Sequence, residues 1–316
     1  MSRSAAIQVP ATSANLGPGY DCAGLALSLV DVLQARLLDD GELQIDVEGE
    51  GADTIPRDDT HLVVRSMARG FAEGGAQIPG LRLRCLNAIP HGRGLGSSSA
   101  AIVGGLVLAR ELMPEGARVL SDSRIVALAS ELEGHPDNVA PALLGGLTVA
   151  WTTDDGGSAV RIPPSPRLQP VVAIPDSPLA TERARELLPP TVTHSDAAAN
   201  AARAALLVPA MTTHLELLLE ATTDLLHQDY RRFAYPQSYA LMAALRSAGV
   251  PSMISGAGPT VIAIGVSDTE LDGIAVEAQV HRALAGLSGS VASEFRVERF
   301  AVSHEGARAV SATSQQ

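Results

Sequence analysis

The sequence predicts a two-domain chain that mixes strands and helices. Three observations carry this. The chain has 316 residues, about two domains' worth. Strand and helix signals alternate through the first half. After Trp151 the composition shifts to the Gly-, Pro-, Ser- and Asp-rich stretch TTDDGGSAVRIPPSPRLQP, which reads as a turn-rich boundary. The domains are therefore expected at 1–158 and 159–308, with a disordered tail at 309–316.

In order, Ala6–Val9 is a short extended start. Residues 9–27, VPATSANLGPGYDCAGLAL, read as a restrained loop, neither strand nor helix. Leu43–Val47 and Leu81–Leu86 are strands; in LRLRCL the residues Leu81, Leu83 and Cys85 share one face and the arginines the other. Helices are expected at His61–Glu73, Ser98–Leu112 and Asp122–Glu133, the last capped by Ser121 or Asp122 and stopped by Gly134. In the second half, Val171–Pro175 starts a new unit. Leu179–Leu188, His194–Met211, Leu215–His227 and Tyr239–Ala248 are helical. Ser252–Ile254 and Val261–Gly265 are strands about a glycine turn. A helix at Leu271–Ala285 and a strand at Glu294–Ser303 close the chain.

Composition excludes several chemistries. There is no lysine: all 23 basic side chains are arginine, against 35 carboxylates, for a net charge of -12. Without lysine there is no Schiff base and no P-loop kinase motif. The acidic balance argues against nucleic acid or an anionic membrane as partner. Cys22 and Cys85 are too few for a disulfide framework or a cysteine metal site. The N-terminus has no signal-peptide core, and the longest uncharged small/apolar run, Ala100–Ala109, is short of the roughly 20 residues of a membrane span. A cytoplasmic location is expected.

Four segments carry chemistry. In IPHGRGLGSSSAAIVGGL (89–106) a strand ends, glycines 92, 94 and 96 follow, and three serines open a helix. Glycines let backbone amides approach a ligand, and a helix N-terminus adds unpaired amides and partial positive charge. The combination suits phosphate. The bland alternative is a strand–helix turn capped by serine. The loop 9–27 contains Asn15 and Asp21 among glycines and prolines and resembles a ligand-binding edge. In ASELEGHPDNVAPALLGGL (129–147), Glu131 and Glu133 fall in the last turn of a helix, the unfavourable end for a carboxylate. Mg²⁺ shared with phosphate would offset that cost; HPDN itself also reads as a solvated turn. MISGAGPTVIAIG (253–265) is either a hairpin or a second phosphate-facing loop. Arg185 and Arg231 suit an acidic substrate, because a guanidinium grips a carboxylate with two hydrogen bonds. The other histidines show no metal spacing.

The order VPATSANLGPGYDCAGLAL, PHGRGLGSSSAA, SGAGPT resembles the three motifs of the GHMP kinase superfamily, which phosphorylates small-molecule alcohols with ATP and Mg²⁺. EGHPDNVAPALLGGL and TERARELLP are similar to its homoserine-phosphorylating branch. The resemblance spans residues 7 to about 305. It implies an α+β fold, with an N-terminal domain like ribosomal protein S5 domain 2 and a ferredoxin-like C-terminal domain, and the site between them. It implies that Pro90, His91, Gly92, Arg93, Gly94, Leu95, Gly96, Ser97, Ser98, Ser99 and Ala100 cradle the ATP phosphates, aided by Gly256 and Gly258. Ser98 and Glu133 would hold Mg²⁺. Asn15, Asp21, His135, Thr181, Arg185 and Arg231 would surround L-homoserine, the two arginines on its carboxylate, Asp21 and Asn15 on its ammonium and hydroxyl. Asp137 and Asn138 lie where relatives with other substrates carry a catalytic aspartate. The implied chemistry is direct attack of the hydroxyl on the γ-phosphorus. A homodimer is a family-level expectation. Tyr20 stands where Phe is more usual, and RRFAYPQS departs from the usual turn, leaving Arg232 as an alternative to Arg231. The rivals are a GHMP-type kinase of another alcohol and a non-catalytic ligand sensor on the same fold.

Overall fold

The computed structural model describes residues 3–179, 184–287 and 294–310. Two sheets organise them. The first has seven strands: β1 (Ser4–Ala14), β2 (Ala23–Leu37), β3 (Leu43–Gly49), β4 (Leu81–Asn87), β5 (Leu147–Thr153), β6 (Gly156–Ile162) and a late β11 (Arg308–Ala309). Its order is β11-β1-β2-β4-β3, with the β5–β6 hairpin joined to the start of β2. Only β3 and β4 run parallel. The second sheet is antiparallel, in the order β10-β7-β9-β8, from β7 (Leu168–Pro175), β8 (Ser252–Ile254), β9 (Val261–Val266) and β10 (Phe295–Arg299). This is a mixed α+β chain, as expected.

β1 and β2 together replace most of the loop expected at 9–27; only 15–22 is irregular. Pro10 does not break β1, because the register shifts between Pro10 and Ala11, and a bulge tolerates a residue without an N–H. The turn-rich stretch is the β5–β6 hairpin, turning at Asp154–Asp155, and the first sheet continues to Ile162 before β7 opens the second. The tail expected from 309 begins with paired backbone, since β11 lies on β1 and the Val310 amide donates to Ala6 O.

The helices used below are α1 (Leu62–Glu73), α2 (Ser97–Leu112), α3 (Asp122–Glu133), α4 (Val139–Leu144), α5 (His194–Thr212), α6 (Pro236–Ser247) and α7 (Gly273–Gly286). α2 is buried along nearly its whole length against the first sheet, α1 and α3. Its small residues allow this. A Cβ on Gly105 would lie 2.6 Å from Val63 O, so α1 and α2 touch backbone to side. Buried Ile102, Leu106 and Leu108 supply roughly 1.5–3 kcal/mol each of apolar burial. The helix expected at Leu215–His227 is instead a 3₁₀ turn and one α turn ending at Ala221. The Asp224 carboxylate then accepts from the amides of Leu226, His227 and Gln228, which fixes a turn where a helix would have continued. In the expected helix 179–188, Ala184 and Arg185 are helical, while Thr181 lies outside the described residues.

Candidate active site

A cavity of about 240 Å³ opens where α2, the loop 15–22 and the 255–258 turn of the second sheet converge. At its floor, Gly92, Gly94 and Gly96 all adopt left-handed backbone (φ 64°, 75° and 72°). Side chains rarely reach that region. A Cβ on Gly96 would collide with Thr12 Oγ1, and one on Gly94 with Ser255 O. Gly96 caps α2, and no side chain caps the helix. The opening amides of a sixteen-residue helix thus face the cavity beside Ser97 and Ser98, which fits an anion.

The rest of the expected cradle braces the loop from behind. Leu95 is fully buried, and its carbonyl accepts from the Thr12 amide. Arg93 turns away from the cavity; its guanidinium donates to the carbonyls of Pro175, Asp176 and His91. Pro90 and Ala100 are buried. Ser255 Oγ donates to Gly94 O and meets Ser13 Oγ, so the SGAGPT turn locks the cradle to β1. Gly256 lines the cavity. Gly258 is not among the lining residues; a Cβ there would meet the Tyr235 ring.

Ser98 Oγ donates to Glu133 Oε1 at 2.6 Å, and Ser99 Oγ to the same oxygen at 3.0 Å. Glu133 has no ion-pair partner among the described residues, whereas Glu131 pairs with Arg69 at 3.5 Å. Among the described residues no three His, Cys, Asp or Glu side chains cluster as a metal site. A hydroxyl and one unpaired carboxylate fit Mg²⁺, which usually takes one or two carboxylates and completes its shell with phosphate and water.

His135 and Asp137 form a dyad, with Nδ1 donating to Asp137 Oδ1 at 2.5 Å. Burial disfavours the charged ring, but the Asp137 hydrogen bond and charge, with Glu133 beyond, outweigh it and raise the His135 pKa. Asn138 Oδ1 accepts from Thr12 Oγ1 at 2.8 Å.

At the other end stand the arginines. Arg185 and Asp21, expected on opposite ends of the substrate, hold each other: Nη2–Oδ1 is 2.7 Å and Nη1–Oδ2 is 3.0 Å, with Tyr20 OH also on Nη1. Arg231 is 1% exposed and lines the cavity. Its Nε donates to Ala184 O, and its guanidinium lies 5.4 Å from the Tyr20 ring centre. Arg232 points elsewhere, stacked on Phe233 and facing Asp229. Asn15 lines the cavity, yet its amide is engaged by Gly256 O and the Asp21 amide. Asn15, Leu16 and Asp21 all have positive φ (67°, 46° and 55°), a strain of roughly 1–3 kcal/mol each that the surroundings hold in place.

Two supports had no signal in the sequence. His227, fully buried and kept neutral by that burial, donates through Nε2 to Gly17 O and turns Nδ1 toward Arg231. Asn200 of α5 donates to Pro18 O and accepts from Leu225. Gly17 and Pro18 lie 210 and 182 residues from His227 and Asn200, so spacing does not reveal these contacts.

A second cavity of about 260 Å³ adjoins the cradle through Ser97 and Ser98. Ile55, Val63 and Ala101 make much of its wall apolar, and Asp31, His61 and His91 also line it.

The chain matches the GHMP kinases N terminal domain over residues 61–146 and the GHMP kinases C terminal domain over 195–286. It is 52% identical over 263 residues to a homoserine kinase of Streptomyces coelicolor, covering 83% of this chain and 85% of that one. It is 48% identical over 270 residues to a homoserine kinase of Cutibacterium acnes, covering 85% and 91%. Its fold is similar to the crystal structure of homoserine kinase from Cytophaga hutchinsonii, with a TM-score of 0.81 at 25% identity and 97% of each chain covered.

Proposed function

The chain belongs to the GHMP kinase family, and from that premise we propose that it transfers the γ-phosphoryl group of ATP to the hydroxyl of L-homoserine, a step of threonine synthesis. The observation that carries this reading is one cavity with two unlike ends. The uncapped α2 N-terminus and its glycines meet phosphate; Arg231, Arg185 and Asp21 meet a zwitterionic amino acid. A sugar presents no charge to that second end, and mevalonate presents a carboxylate but no ammonium for Asp21.

The residues act by placement. Arg231 is held rigid by Ala184 O, His227 and Tyr20, and grips the substrate carboxylate. The Arg185–Asp21 pair opens to take opposite charges of the substrate. Asp137 Oδ1 is held by His135 and Asn138 Oδ1 by Thr12, so both side chains are fixed in the wall beside the reacting hydroxyl. The hydroxyl oxygen attacks the γ-phosphorus in line as the bond to the β–γ bridging oxygen breaks and ADP leaves, the hydroxyl proton passes to an oxygen of the transferred phosphoryl group, and the α2 amides stabilise charge on that group. Ser98 and Glu133 would hold Mg²⁺, which would neutralise phosphate charge. The second cavity, apolar and continuous with the cradle, holds the nucleoside.

The test is ADP release coupled to a reporter, measured with L-homoserine, L-threonine, mevalonate and galactose. Turnover is expected with homoserine and at most weakly with threonine. Silence on homoserine, or preference for mevalonate or galactose, would overturn the reading.

A further inference from the structure

Asp31 is a wall residue of the second cavity that the phosphoryl transfer described above does not use. It stands in β2 at the point where β4 has run out; the last β2–β4 pair is Val32 with Leu86. There the chain departs for the phosphate loop, and two amides lose their strand partner. Asp31 Oδ1 accepts both, from Ala88 at 2.7 Å and Ile89 at 2.9 Å. Oδ2 accepts from no protein group among the described residues.

The side chain is 5% exposed. Burial, aided by the charge of Glu50 and opposed by the two amides, pushes its pKa up to about 6. At neutral pH it is still ionised, so a charge is kept in a poor solvent for it. Asparagine would satisfy the same two amides without that charge. Capping the end of β4 therefore explains one oxygen and not the carboxylate. The same wall carries a second polar atom in want of a partner: His61 Nδ1 accepts from the Val63 amide, and the buried Nε2 meets nothing among the described residues.

A carboxylate oxygen facing a nucleoside needs a donor. The edge of adenine offers one, the exocyclic amine; hypoxanthine and guanine present a carbonyl oxygen there, which a carboxylate repels. We propose that Asp31 reads the base: its free oxygen accepts the exocyclic amine of adenine, selecting ATP against nucleotides with a carbonyl at that position. This rests on the reading of the second cavity as the nucleoside pocket.

The test is the ratio of kcat/KM for ATP over ITP in the wild type and in Asp31→Asn. The substituted side chain has a single amide oxygen, which must stay on the Ala88 and Ile89 amides, so its NH₂ group turns to the cavity. A donor then stands where an acceptor stood. The ratio is expected to fall at least tenfold, through a higher KM for ATP and a lower KM for ITP. An unchanged ratio with altered melting temperature would leave Asp31 a strand cap only and overturn the proposal. So would an unchanged ratio with lost discrimination against 2′-deoxy-ATP, which would move its contact to the ribose. Ile55→Trp, which fills the cavity, tests the premise separately. If it leaves the KM for ATP untouched, the cavity does not hold the nucleoside and the proposal goes with it. If it raises that KM while Asp31→Asn leaves the ratio alone, the pocket stands and only the role of Asp31 falls.

Discussion

The Arg185–Asp21 fork is about one-third exposed, with two good hydrogen bonds, and each partner is the complement of one end of an amino acid. A zwitterion exchanges one ion pair for two. Arg185→Ala should raise the KM for homoserine by roughly 10- to 100-fold, the range of a charge-assisted hydrogen bond, and move the KM for ATP by less than about threefold. Equal effects on both, in initial-rate kinetics, would sink the carboxylate assignment. Glu133→Gln keeps the shape and removes the charge beside Ser98. A kcat lower by on the order of 10²-fold and a weaker Mg²⁺ dependence are expected, read by titrating Mg²⁺ at saturating ATP. Asp31 offers a test by pH. Its carboxyl titrates near 4 when unfolded and at about 6 when folded. The protonated form favours the fold, so this contribution is whole below about pH 4 and lost as pH rises through 6. Above that, the ionised group costs at most about 3 kcal/mol, with Glu50 facing it and Cys85 and His91 in the same wall. Asp31→Asn should therefore melt higher than wild type at about pH 8 and equally at about pH 4; a lower melting point at pH 8 would reject the buried charge. Single residues differ in how far the sequence exposes them. Glu131 and Glu133 are two apart on one helix, hence on opposite faces, and only the fold tells that Arg69 takes the first and Ser98 the second. Asp31 has no motif around it, and its role emerges only from where β4 stops.

The phosphate loop is legible as an element because its requirements are local. Three glycines with positive φ and a helix opening on serine are written in consecutive residues. Gly96→Ala should show how tightly they are set. The new Cβ meets Thr12 Oγ1, which is fixed by Asn138, and the left-handed φ adds about 1 kcal/mol of strain. A drop of several degrees in melting temperature and at least tenfold weaker nucleotide binding by calorimetry are expected; tight binding at wild-type stability would mean that the loop relaxes freely. β2 was illegible for the opposite reason. Its first five residues, Ala23–Leu27, are buried on both faces, so no period-2 alternation marks its start, and the Pro and Gly residues before it signal turns. Pro10 is harmless only because a bulge lies beside it, and a bulge belongs to the pairing of two strands rather than to either sequence.

At the scale of the molecule, the two sheets are joined by more than the boundary between β6 and β7. After β10 the chain returns to the first sheet: Val302 bridges Leu27, the Gly146 amide donates to Ser303 O, the Ala307 amide donates to Ala142 O, and β11 closes on β1. The segment FAVSHEGARAV (300–310) gives no hint of this, since its bonds are backbone bonds and depend on an edge of β1 that the sequence does not mark. The return clamps α4 and the turn at Gly145–Gly146, and α4 directly follows Asp137 and Asn138 of the site. The second-sheet end of the chain thus holds the first-sheet wall of the cavity. A chain ending at Arg299 keeps both sheets but loses these clamps. At about 1 kcal/mol for each hydrogen bond, several kcal/mol disappear, worth on the order of 10 °C in melting temperature. The loss should fall on the first sheet, so calorimetry should resolve two transitions in the shortened chain where the full chain shows one. Phosphorylation of homoserine should fall with it, because the wall bearing His135, Asp137 and Asn138 loosens. A single transition within about 2 °C of the full chain would show that the return strand is passive and that the two sheets hold the site without it.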